Sequence, residues 1–336
     1  MKKLILGLLI AVPLLVIASV STYLSLDSES AHGAANEQAY KIPRIENLVE
    51  VVHSGKSFFI TGGDGLVVEL DSLDRFSERN VKTLQDFRSI SFADGSNGWV
   101  VGTKGVMFKT SDGGQSWKAV DRGTGKIGTS NLMTIDSDSG NRVVVAGEAG
   151  AVALSEDRGK TFADVSIPED INISHVKLTK TGIYAGGEFG SLYAYNKGAW
   201  KKVAVNKFSG ESWMNPELIS GMVDIDDGKV GLVGFTGDVY VYDARNGNVK
   251  VTSSLNVPLY SVSRSRDYFV ACGEYGKLFY SKDFADWKEA SKDANINVFL
   301  RSIAFDRDKS NTGVTVGGYG TVLITKDGGV NWKKIN

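Results

Sequence analysis

Gly98-Trp-Val-Val-Gly-Thr-Lys-Gly105, running on through Val106-Met-Phe-Lys-Thr110 into Ser111-Asp-Gly-Gly-Gln-Ser-Trp117, is the stretch that decides the fold. Two short β-branched and aromatic runs meet at a Gly-x-x-Gly turn, and a second glycine turn follows. No helical pattern comes after the first turn, so it is not a nucleotide-binding fingerprint. Upstream, Phe87–Phe92 (FRSISF) reads as a strand; downstream, Ser116–Val120 (SWKAV) reads as another. The unit is four strands, a to d.

The same unit recurs along the chain. Gly-x-x-Gly pairs stand at Gly62/Gly65, Gly102/Gly105, Gly147/Gly150, Gly187/Gly190, Gly234/Gly237, Gly273/Gly276 and Gly317/Gly320, spaced 40, 45, 40, 47, 39 and 44 residues apart. Seven units of about 42 residues account for residues 45–336, and four strands per 40–45 residues is the period of a propeller blade. The expectation is an all-β, seven-bladed β-propeller of four-stranded blades over 36–336. The propeller is read as opening on strand a, Asn47 to His53, and ending on strand d, Trp332 to Asn336, so the ring is expected to close either without strand exchange or with Tyr40 to Ile45 as an outer strand beside the last blade.

A second motif, [Ser/Thr]-x-Asp-x-Gly-x-x-[Trp/Phe], follows strand c at Asp112, Asp157 and Asp327, with a version one residue short at Asp283. The carboxylate can hold turn N–H groups, glycine supplies a left-handed residue, and the aromatic packs between blades. It resembles the Asp-box of bacterial neuraminidase repeats and is expected to be structural. Trp117, Phe162, Trp200, Trp287 and Trp332, each 10–12 residues after its glycine pair, are assigned to packing; Cys272, in a strand b, to a small buried residue.

The combination of residues 98–117 with Val316-Gly-Gly-Tyr-Gly-Thr-Val-Leu-Ile-Thr-Lys-Asp-Gly-Gly-x-x-Trp332 resembles the photosystem II stability/assembly factor family. The resemblance spans residues 45–336 and is strongest in copies two, three, six and seven; copies four and five lack the Asp-box. It implies a non-enzymatic seven-bladed propeller, exported to a lumen or periplasm, that in phototrophs binds a newly made membrane subunit and aids assembly. Cyanobacterial members are typically lipoproteins, whereas the apolar run here has no lipobox cysteine after it.

That apolar run, Leu4 to Val20, follows Lys2 and Lys3 and precedes a polar stretch to Ala35. Residues 1–35 therefore read as a signal peptide or an uncleaved N-terminal anchor, and the rest as exported, periplasmic or lumenal. Composition excludes other classes. Glycine is 39 of 336 residues and proline 5, which fits strands and turns rather than Pro-rich disorder; net charge −1 gives no nucleic-acid signal; one cysteine permits no internal disulfide. His32, His53 and His175 are too scattered for a metal site, and no cofactor or metal is expected.

Binding is expected on the face shared by the d–a and b–c loops. Strand-a starts there carry Arg88, His175, Tyr260 and Arg301, with Arg88 and Arg301 in near-identical contexts, FRSISF and LRSIAF. An arginine at this place resembles the basic patch by which the assembly-factor family contacts its client; the plainer reading has both arginines paired with turn carboxylates. The b–c turns add Asp64, Glu148, Glu188, Asp238 and Glu274, read mainly as solvated turn residues. The longest repeat interval, between copies four and five, carries Trp213 and Met214 in a d–a loop, either a partner hot spot or a plug over the channel. The expected partner is a membrane-protein subunit or another envelope complex such as a transporter, met by a monomeric propeller near the membrane. The enzyme alternative is a sialidase-like glycosidase, which needs three arginines; Arg88 and Arg301 would be two, with Arg264 or Arg266 as a third.

Overall fold

The computed structural model describes residues 42, 47–79, 81–121, 125–204, 218–306 and 310–336. They form seven antiparallel sheets, each running a-b-c-d from the axis outward. Blade 1 begins at Glu50–Ser54, blade 2 at Phe87–Phe92, blade 3 at Leu132–Ser137, blade 4 at Ile173–Leu178, blade 5 at Ile219–Asp226, blade 6 at Leu259–Arg264 and blade 7 at Leu300–Phe305. Each b strand is buried throughout or nearly so, as in Gly98–Gly102 and Phe269–Gly273, which is why these runs are apolar on both faces.

The two glycines of each Gly-x-x-Gly pair do different jobs. The second is left-handed (Gly105 at φ 65°, Gly320 at 66°), and in six blades so is the residue before it, the geometry of a tight hairpin. The first has an extended φ that any residue adopts, but in blades 2, 3, 4, 6 and 7 there is no room for a side chain. A Cβ on Gly102 would lie 2.0 Å from the Asp86 carbonyl oxygen, and Gly147 and Gly317 press equally on Asn131 and Phe299. Those carbonyls belong to the residues entering strand a, so the glycine ending strand b fixes where the innermost strand begins.

Seven hydrophobic clusters fill the seven junctions between blades. The expected aromatics lie in them: Trp117 beside Phe59 and Phe92, Phe162 beside Trp99, Trp200 beside Ile167, Trp287 beside Phe284, and Trp332 with fully buried Cys272. Nearer the axis, a side chain on one strand a bonds the backbone of the next. Ser89 Oγ accepts from Ile135 N–H (3.0 Å), Thr134 Oγ1 from Val176 N–H (3.3 Å) and a Glu50 carboxylate oxygen from Ile90 N–H (2.6 Å); Ser174 and Ser220 donate to the carbonyls of Ile219 and Leu259.

Ring closure uses the same device. Val51 N–H donates to Ser302 Oγ (3.2 Å), Leu48 N–H to the Gly317 carbonyl (3.3 Å), and Val51, Phe58 and Ile60 pack against Val314, Val316 and Val322. The four strands of blade 1 are consecutive, as are those of blade 7, so among the described residues the ring closes without strand exchange. Blade 7 does gain a fifth strand, but from Ser291–Lys292, parallel to Asn331–Lys334; Ile42 is buried in the closing cluster, and residues 40, 41 and 43–45 lie outside the described set.

The Asp-boxes occupy the c–d turns. In blade 2, Asp112 accepts from Thr110 Oγ1 (2.7 Å), Ser116 N–H (2.9 Å) and Ser116 Oγ (2.5 Å), while Trp117 Nε1 donates to the Gly114 carbonyl (3.2 Å). Asp157 and Asp327 repeat the pattern. These bonds to the charged form hold Asp112 at about 2 and Asp157 well below the usual carboxylate range. The shortened box keeps the Asp283 bonds, but Trp287 Nε1 is left without a hydrogen-bond partner.

Candidate functional site

The site begins with an irregularity in strand a. In blades 2 to 7 the pairing of strands a and b slips at the second residue of strand a, leaving Arg88, Met133, Ser174, Ser220, Tyr260 and Arg301 unpaired in β-bulges. A bulge bends the strand and re-aims the side chain it frees. Here all six, with Val49 of blade 1, line one small cavity of about 90 Å³ at the mouth of the ring. Beneath it lies a channel of about 580 Å³ walled by the strand-a residues.

The structure thus gathers Arg88, Tyr260 and Arg301 at equivalent positions, while His175 sits one residue deeper, lining both mouth and channel. Burial and the nearby Lys177 push the His175 imidazole down to about 4, so it is neutral near pH 7. Neither Arg88 nor Arg301 forms an ion pair with a described carboxylate, contrary to the plainer reading of the sequence. The Arg301 guanidinium instead lies 5.4 Å from the centre of the Tyr260 ring. Crowding by protein atoms lowers its pKa, and the nearby Arg88 charge adds to this. Tyr260 donates its hydroxyl to Glu274 and meets Phe235 and Phe299 at 5.7 and 6.4 Å. Below the arginines, burial raises Glu50 to about 7 despite its bonds from Ser89 and Ile90, so this carboxyl is only partly ionised near neutrality. Two arginines lining one cavity, one of them on an aromatic ring and neither ion-paired with a described carboxylate, suit a planar anion such as a carboxylate.

The b–c acids are more engaged than expected. Glu148 accepts twice from the Asn131 side-chain amide at 2.9 Å, Glu188 holds Asn172 through both its backbone and side-chain N–H groups, and Glu274 holds Tyr260. They anchor the residues entering strand a rather than facing only water. Trp213 and Met214 lie outside the described residues. Arg264 and Arg266 stand at the opposite end of strand a of blade 6, where they pair with Asp226 and Asp267, so they do not complete an arginine trio with Arg88 and Arg301. Among the described residues no group of His, Cys, Asp and Glu could hold a metal ion.

Two features of this face were missed in the sequence. One is the bulge itself, visible in retrospect as the aligned entries Phe-Arg-Ser, Leu-Met-Thr, Leu-Tyr-Ser and Leu-Arg-Ser. The other is a set of exposed aromatics on the b–c turns, Phe189, Phe235, Tyr275 and Tyr319.

Ring and mouth define a seven-bladed Asp-box propeller with a cationic, aromatic-floored opening. Residues 68–199 match the family model described as photosynthesis system II assembly factor YCF48. The photosystem II assembly lipoprotein Ycf48 of Synechococcus sp. (strain CC9902) is 25% identical over 266 residues, 73% of each chain. Among solved structures, YCF48 bound to D1 peptide (TM-score 0.66, 19% identity, 86% of this chain and 96% of that one) and YCF48 from Cyanidioschyzon merolae (0.65, 17%, 86% and 98%) share the fold. So does the WD40 propeller domain of Doa1 (0.66, 13%, 83% and 92%). By that match and that relative, the chain is similar to the photosystem II stability/assembly factor family.

Proposed function

We propose that this chain is an exported, non-catalytic propeller that binds a membrane-protein partner through the mouth, in the manner of a photosystem II assembly factor. The observation that carries the reading is that Arg88 and Arg301, unpaired with any described carboxylate, line one cavity, with Arg301 over the Tyr260 ring. Such a mouth takes an acidic or carboxylate-bearing segment of an extended polypeptide, and a relative of the same fold is described as bound to a D1 peptide. Residues 1–35 serve as signal or anchor, 36–336 as a monomeric propeller, and residues 4–20 keep it near the membrane if uncleaved. The test is affinity capture of the full chain from detergent-solubilised membranes, beside the double variant Arg88→Ala/Arg301→Ala. The expected result is a photosystem subunit recovered with the parent and lost with the variant. Equal recovery by both overturns the assignment of the mouth. Arginine-dependent recovery of a different envelope complex overturns the photosystem assignment.

A further inference from the structure

All five exposed large hydrophobic side chains among the described residues lie on one face of the ring. Phe189, Phe235, Tyr275 and Tyr319 are in the b–c turns of blades 4 to 7, and Leu84 is in the connector from blade 1 to blade 2. Among the described residues the opposite face, where the Asp-boxes sit, has none.

Three of these residues pose a specific question. Phe189, Tyr275 and Tyr319 occupy the same turn position and are left-handed, at φ 55°, 55° and 54°. That conformation favours glycine, asparagine and aspartate, and a bulky residue there is strained. They are also 60–69% exposed, so the core does not select them. Neither local backbone nor packing accounts for an aromatic at this position; contact with something outside the propeller does.

Their arrangement indicates what. Being equivalent in a sevenfold ring, the three turn apices stand at one height as separate knobs. Phe235 is the immediate neighbour of the equivalent position in blade 5, and Lys104 takes that position in blade 2. Separate aromatic tips at equivalent turns, with an exposed lysine at the same position in blade 2, match the interface of a bilayer, where amphipathic rings and snorkelling lysines are favoured. The chain itself enters the ring at this face: Leu48, just before blade 1, bonds Gly317 at the b–c turn of blade 7, and the apolar run Leu4 to Val20 lies upstream of it.

We infer that the b–c face docks on a lipid bilayer, with Phe189, Phe235, Tyr275 and Tyr319 entering the headgroup layer and the arginine mouth turned toward the membrane. The inference is independent of which polypeptide the mouth accepts. It is tested with the full chain in vesicles of phosphatidylcholine and phosphatidylglycerol. Single variants Tyr275→Cys, Tyr319→Cys and Lys326→Cys are labelled with a polarity-sensitive fluorophore; the last reports the Asp-box face of blade 7. Cys272 needs no removal, because burial shields it and pushes its thiol up to about 12. The expected result is a blue-shifted emission and several-fold weaker quenching by aqueous iodide at positions 275 and 319, with position 326 unchanged. Equal quenching at all three positions overturns the inference. So does shielding of 275 and 319 only when a membrane-protein partner is added, which would make these aromatics a protein-binding surface. Circular dichroism of each labelled variant establishes that the propeller is intact.

Discussion

Replacing Thr110 by valine keeps the shape of the side chain and removes one hydroxyl, and that hydroxyl organises an entire Asp-box. Thr110 is 1% exposed. Its Oγ1 donates to Asp112 at 2.7 Å and accepts from the buried Gly114 N–H at 2.8 Å. The valine leaves that N–H unpaired, a cost of about 1–3 kcal/mol, and deletes a bond to a charged group worth about 1.5–3 kcal/mol. Water replaces part of the second term, because Asp112 is exposed. The expected loss is therefore roughly 2–3 kcal/mol, read as a lower denaturant midpoint by tryptophan fluorescence, with Thr110→Ser close to the parent. The acid limb should move as well. Asp112 is held at about 2, below its ordinary 3.8, by its bonds to Ser116 and Thr110. A depressed carboxylate contributes stability that is complete above the unfolded value and disappears as pH falls through the folded one. With one donor gone, the folded value rises and the pH window of that contribution narrows. A valine variant within about 0.5 kcal/mol of the parent, the range of an ordinary surface substitution, would refute the view that the hydroxyl holds the box together.

Glu50→Gln should flatten the pH dependence of stability between the ordinary glutamate value of 4.5 and about 7, where burial holds the folded carboxyl. The native state binds the extra proton in that window, so the parent loses stability as pH rises through it and the variant does not; thermal melts at pH 5 and pH 8 compare the two. Trp332→Phe should cost about 1 kcal/mol more than Trp287→Phe, because Trp332 Nε1 donates to the Gly329 carbonyl at 2.9 Å whereas Trp287 Nε1 has no partner. Equal denaturant midpoints for the two variants would contradict this.

The ring was legible because its determinants are local and repeat. Gly-x-x-Gly needs one left-handed residue and one close approach, and the Asp-box needs a hydroxyl, a carboxylate and a glycine within a few residues; both leave a fixed spacing in the sequence. Strand bounds in blade 2 came within two residues for the same reason. Arg88 and Arg301 could be singled out because their contexts repeat. His175 was placed level with them, one step too shallow, because the bulge that separates the two positions depends on pairing with strand b. The b–c acids were read as mainly solvated because their partners Asn131, Asn172 and Tyr260 lie 14–17 residues away across the sheet. The aromatic tips went unnoticed because Phe189, Tyr275 and Tyr319 occupy the variable places of the very motif that defined the repeat.

That last point separates the two faces of the ring in physical terms. On the Asp-box face, side chains are spent on their own turns: Thr110 and Ser116 donate to Asp112, Trp117 Nε1 donates to the Gly114 carbonyl, and Gly114 packs against Phe59 of the preceding blade. Any change there is felt by the fold, so the residues repeat. On the opposite face, the glycines set most of the turn geometry, through the left-handed Gly105 and the close approach of Gly102 to Asp86. Of the two residues between them, the first holds the entry to strand a in several blades, as Glu148, Glu188 and Glu274 do, whereas the second is an exposed aromatic with no such bond at Phe189, Tyr275 and Tyr319. Arg88 and Arg301, bulged out of the pairing with strand b and without a described ion-pair partner, are equally free of such work. Where the repeat fixes everything, the residue explains the ring; where it fixes nothing and a charged or aromatic residue still appears, even in a strained conformation, the explanation has to lie in what the ring meets.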